Sequence, residues 1–98
     1  LESVYQKALE VEFRLQNISY EPQHPVAVRY KSHPVGEGRL DFLVGGALIV
    51  ELKAVDKLTS VHQAQVLSYL KMTKHPLALL INFNVTFLKD GLKRIILS

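Results

Sequence analysis

With 98 residues, 48% of them apolar and 21% charged, the chain has the composition of one folded domain and not that of a disordered or low-complexity segment. No apolar run approaches the roughly 20 residues of a membrane span, and the lack of cysteine excludes disulfides and thiolate metal sites and suits a reducing cytoplasm. The formal charge of +3, with a sequence pI near 9.3, leans toward an anionic partner such as nucleic acid but is too small to select one.

Leu1 has the look of an internal start, so a single domain over residues 1–98 with a truncated N-terminus is expected. From Leu1 to about Gln16, the residues Leu1, Val4, Tyr5, Ala8, Leu9 and Phe13 recur at helical spacing and predict an amphipathic helix. Two prolines break Glu21 to Pro25 into an extended connection. Val26, Val28 and Tyr30 alternate with polar or small residues as in a strand with one buried face. His33-Pro34 to Gly38 then reads as a turn.

Arg39 to Val44 and Ala47 to Leu52 read as a β-hairpin about Gly45-Gly46. A two-residue loop would set Asp41 and Glu51 on opposite faces, so any shared chemistry demands an odd loop. A three-residue loop of Val44, Gly45 and Gly46 pairs Leu43 with Ala47 and brings both carboxylates to one face. Lys53 then lies on that face, roughly 7 Å beyond Glu51. Ser60, with Gln63 three residues on, predicts a capped helix running to about Lys74. Leu77 to Phe83 reads as a central strand buried on both faces, and Asp90-Gly91 as a turn before an edge strand at Lys93 to Leu97. The order of helix, three strands, helix and one or two strands predicts an α/β sandwich.

Acidic residues interrupt two apolar strands: Asp41 between Leu40 and Phe42, and Glu51 after Ala47 to Val50. Strand propensity disfavours both, and such local violations gather at functional sites. Two carboxylates and an ammonium on adjacent strands can hold a divalent metal and steer water onto a phosphodiester. The plainer reading is a solvated strand face with an ordinary Glu51 to Lys57 or Asp41 to Arg39 ion pair. Gln65 and Tyr69, at i and i+4, share a helix face and serve either as a substrate contact or as a buried tyrosine with its amide partner. Glu2 alone reads as a first-turn acid favoured by the helix dipole. The histidines show no zinc spacing, and His62 alone lies near the hairpin ends.

Taken together, Leu1-Glu2-Ser3-Val4-Tyr5, Gly38-Arg39-Leu40-Asp41, Ile49-Val50-Glu51-Leu52-Lys53-Ala54, Gln65-Val66-Leu67-Ser68-Tyr69-Leu70 and Leu80-Ile81-Asn82-Phe83 resemble, in order and spacing, the small GxxExxR proteins of the PD-(D/E)XK nuclease superfamily. The resemblance implies a restriction-endonuclease-like αβββαβ sandwich, a central mixed sheet flanked by helices. It implies that Asp41 and Glu51 ligate Mg²⁺ or Mn²⁺, that the Leu52 carbonyl adds a backbone oxygen, and that Lys53 orients or activates the attacking water. Glu2 matches the helix acid that completes the metal site, and Gln65 with Tyr69 matches the QxxxY motif that positions the metal or the nucleic-acid backbone. The implied activity is Mg²⁺-dependent hydrolysis of nucleic acid, DNA ahead of RNA. A homodimer would suit an enzyme that cuts both strands. The alternative is a non-catalytic nucleic-acid- or protein-binding module on the same fold. Without metal, one of the two carboxylates is expected to titrate high.

Overall fold

The computed structural model describes residues 1–98. Helix α1 (Glu2–Leu15) precedes strands β1 (Tyr20–Tyr30), β2 (His33–Val44) and β3 (Leu48–Lys53). Helix α2 (Ser60–Thr73), strand β4 (Leu77–Asn82), a 3-10 turn at Leu88–Gly91 and strand β5 (Leu92–Ile96) follow. The five strands lie side by side in chain order. All neighbours are antiparallel except β3 and β4, which are parallel because α2 carries the chain back between them.

The sheet is apolar on both faces, as its runs of Leu, Ile and Val require. Phe42, Val50, Leu52 and Ile81 pack against Leu9 and Phe13 of α1, while Leu40, Ile49, Ala78 and Leu80 pack against Val66 and Leu70 of α2. This is the α/β sandwich predicted from the order of elements. Burying a leucine- or phenylalanine-sized side chain contributes about 1.5–3 kcal/mol, and these two layers supply most such burial in the chain.

Four local expectations are corrected. The hairpin loop is odd, but it spans Gly45 to Ala47: Val44 pairs with Leu48, Leu43 with Ile49 and Phe42 with Val50. Both glycines are left-handed, at φ 60° and 69°, which frees Val44 to stay in the strand. The prolines do not end β1, because β1 is an edge strand where a missing N–H is tolerated. The turn between β1 and β2 falls at Lys31 and Ser32, both left-handed, and not at His33 to Gly38. The α2 cap is Thr59, not Ser60, and His62, not Gln63, closes the box: the Thr59 N–H donates to His62 Nδ1 at 3.0 Å.

Gly91 is enclosed. A Cβ there would lie 2.0 Å from the backbone oxygen of Asn82, and backbone cannot rotate away as a side chain can. Gly91→Ala should therefore lower stability by about 2–3 kcal/mol, seen as a lower urea midpoint at unchanged denaturant dependence.

Candidate active site

Strand β2 changes character at Asp41. The ladder to β3 ends at Phe42 and Val50, so Asp41 stands at the next position, opposite Glu51. Here the Asp41 side chain replaces the backbone: the Leu52 N–H donates to Asp41 Oδ2 at 2.7 Å. On the other side, the pairing of β1 with β2 skips Gln23 and Asp41, and Gln23 is left-handed at φ 52°. Phe42 faces α1, whereas Leu40 faces α2. The ribbon thus switches face at Asp41, and the carboxylate emerges at the irregularity.

Glu51 follows Ile49 on the α2 face by strand alternation and is only 7% exposed. Its Oε1 is buried with no hydrogen-bond partner. Burial is the main force pushing its carboxyl up to about 9; Asp41 adds to this by hydrogen bonding and by its charge, and Lys53 pulls weakly the other way. Glu51 is thus the carboxylate expected to titrate high.

Lys53, half-buried, ends β3, and its carbonyl accepts from the Phe83 N–H at 2.8 Å. The Leu52 carbonyl lies on the same strand edge as its N–H, toward Asp41. From α2, Tyr69 packs on the same layer as Leu40 and Ile49; burial and then the Glu51 charge raise its pKa, while a hydrogen bond with Gln65 opposes this. Asp41, Glu51, Lys53, Gln65 and Tyr69 therefore share one face. Glu2 does not join them. It is exposed in the first turn of α1, the helix on the opposite face, and no group of three His, Cys, Asp or Glu side chains converges in the chain. His62 is occupied by the α2 cap.

Two residues of the resembling segments have supporting roles that the sequence does not assign. A Cβ at Gly38 would lie 3.1 Å from the Tyr69 ring and hydroxyl, so its absence lets Tyr69 lie against β2. Buried Asn82 holds the chain just after Lys53: the Val55 N–H donates to its Oδ1 at 3.0 Å, and its Nδ2 donates to the Val55 carbonyl at 2.8 Å. Both lie in segments that carry the resemblance, and Asn82 also stands out as an amide closing the apolar run from Leu77 to Ile81, but nothing local to Gly38 points to Tyr69.

The arrangement offers two facing carboxylates, one with an unsatisfied buried oxygen, beside an ammonium and a tyrosine. A family model described as the PD-(D/E)XK nuclease superfamily matches residues 1–95. No curated protein matches the chain.

Proposed function

Because the chain belongs to the PD-(D/E)XK nuclease superfamily, we propose that it is a metal-dependent nuclease of the GxxExxR kind, hydrolysing phosphodiester bonds in DNA ahead of RNA. Its five-stranded mixed sheet and two helices are consistent with the restriction-endonuclease-like fold. Nucleases of this superfamily generally use divalent metals and act on nucleic acid. No helix of this chain is long and apolar enough to cross a membrane, and its cysteine-free composition suits a reducing cytoplasm.

The observation that carries the proposal is the meeting of Asp41 and Glu51 where the β2–β3 ladder stops. A buried carboxylate oxygen without a partner is costly unless something satisfies it. A hard divalent cation does so while relieving the repulsion from Asp41, and an oxygen-only donor set suits Mg²⁺ or Mn²⁺. Asp41, Glu51 and the Leu52 carbonyl would hold it, while Glu2, exposed on the helix of the opposite face, stays outside the site. When bound, such a cation supplies a Lewis acid that withdraws charge from the phosphodiester and acidifies a water.

The remaining work falls to the chain itself. Glu51 must release its proton before it can act as a ligand at neutral pH. Lys53 places an ammonium beside the negative charge that develops on the phosphoryl oxygens and orients the incoming water. Tyr69 and Gln65 bound the site on the α2 side and position the substrate backbone. A homodimer would supply the second site that cutting both strands of a duplex requires.

The test is cleavage of labelled single- and double-stranded DNA and RNA with Mg²⁺ or Mn²⁺, on wild type and Lys53→Ala. We expect wild type to cut and Lys53→Ala to lose about 10²–10³ in kcat with metal affinity changed by less than about threefold. Equal rates in the two proteins, or no cleavage by either, would refute the catalytic role of Lys53.

A further inference from the structure

We propose that the free end of the β1–β2 ribbon docks this chain onto duplex DNA. The choice of nucleic acid as occupant rests on the nuclease reading; the need for an occupant does not. Strand β2 pairs with β3 only from Phe42 to Val44, so residues 33–41 are flanked on one side alone. Every residue from Arg29 to Glu37 is exposed, including Tyr30 at 63% and Val35 at 61%. A two-stranded ribbon with both faces in water is marginally stable by itself, and apolar exposure at its end marks a surface that a partner covers.

Charge indicates which partner. Between Arg29 and Arg39 the ribbon carries three cations and one acid, +2 of the chain's formal +3. The acid, Glu37, lies 3.7 Å from Arg39, and no carboxylate pairs with Arg29 or Lys31. Lys31 Nζ sits 5.5 Å from the centroid of the Tyr30 ring. A second copy is a poorer occupant, because it would bring together two ribbons of like charge, and because Pro22, Pro25 and the register shift between Val28 and Arg29 interrupt the β1 edge while Pro34 interrupts the open edge of β2.

Geometry refines the ligand. The major groove of B-form DNA admits a two-stranded β-ribbon, whereas that of A-form RNA is too deep and narrow. The ribbon also springs directly from the site: its base is Asp41, and Gly38 lies against Tyr69. A duplex held by Arg29 and Lys31 is thereby tethered next to the carboxylates. The ribbon selects duplex DNA, and the site supplies the chemistry.

The experiment compares wild type with Arg29→Ala/Lys31→Ala, both substitutions being at exposed positions. Binding of a short DNA duplex and its RNA counterpart is followed by fluorescence anisotropy in EDTA over a series of salt concentrations. Hydrolysis of bis(p-nitrophenyl) phosphate, a diester too small to reach the ribbon, is measured with Mn²⁺. We expect the variant to bind the DNA duplex at least about tenfold more weakly and to lose about 1.8 from the slope of log affinity against log salt. Its urea midpoint and its hydrolysis of the small diester should match wild type, and wild type should prefer the DNA duplex. Unchanged duplex affinity and slope overturn the proposal. So does an altered sedimentation mass at unchanged duplex affinity, which would give the ribbon to a second copy. If wild type leaves the small diester intact while the variant still loses duplex binding, the nuclease reading fails and the docking role stands.

Discussion

Glu51→Gln is expected to abolish metal-dependent cleavage and, in the same protein, to raise the stability of the metal-free fold at pH 8. The wild-type carboxyl is raised from an ordinary 4.5 to about 9 in the folded chain, first by burial and then by Asp41. A group whose folded pKa is raised holds its proton longer in the folded state than in the unfolded one. Its contribution is therefore intact below pH 4.5 and is lost as the pH climbs toward 9, at up to about 1.4 kcal/mol per pH unit. Glutamine keeps the shape and cannot ionise, so the variant lacks this slope. The two proteins should be nearly equally stable at pH 5 in EDTA, and the variant more stable by about 2–4 kcal/mol at pH 8. Urea unfolding at the two pH values checks this. Added Mn²⁺ should then raise the stability of wild type by mass action and leave the variant unchanged. Stability gained where activity is lost is the mark of a strained functional group.

Asp41→Asn should cost as much activity by a different route. Asp41 has two roles, accepting the Leu52 N–H at 2.7 Å and raising the Glu51 pKa by its charge and hydrogen bonding. Asparagine can keep the first role through its carbonyl oxygen and gives up the charge. We expect cleavage to fall by at least about 10³ with the loss of an anionic ligand, stability in EDTA at pH 5 to change by less than about 1 kcal/mol, and the Glu51 titration to move down. Asp41→Ala is the contrasting variant: it also strips the Leu52 N–H of its acceptor and should cost about 1–3 kcal/mol. Carboxyl-resolved NMR titration with urea unfolding separates the two roles. If Asp41→Asn binds metal and cleaves as wild type does, Asp41 is only a backbone cap.

The pairing of these carboxylates shows how far the sequence could be read. Parity was legible: Asp41 and Glu51 can share a face only across an odd loop, and the loop is odd. The register was not, because two adjacent glycines permit more than one odd loop, and the choice depends on Val44 pairing with Leu48. The prolines of β1 misled because their tolerance depends on β1 being an edge strand, a property of the assembled sheet. The turn at Lys31 and Ser32 uses left-handed residues with no glycine to signal them. The face switch at Asp41 was likewise hidden, since it lies across from a left-handed Gln23 on the neighbouring strand, a residue with an unremarkable side chain. Gln65 and Tyr69 were placed by helix periodicity, whereas Glu2 depends on where α1 lands, which no local pattern encodes.

The most direct measurement is a calorimetric titration of the apo protein with Mn²⁺ at pH 7, repeated in two buffers of different ionisation enthalpy, on wild type and Glu51→Gln. The raised Glu51 pKa predicts that wild type binds metal and releases close to one proton for each ion bound, and that Glu51→Gln does neither. Metal binding that releases no proton, or that survives in Glu51→Gln, would contradict the assignment of Asp41 and Glu51 as a shared metal site.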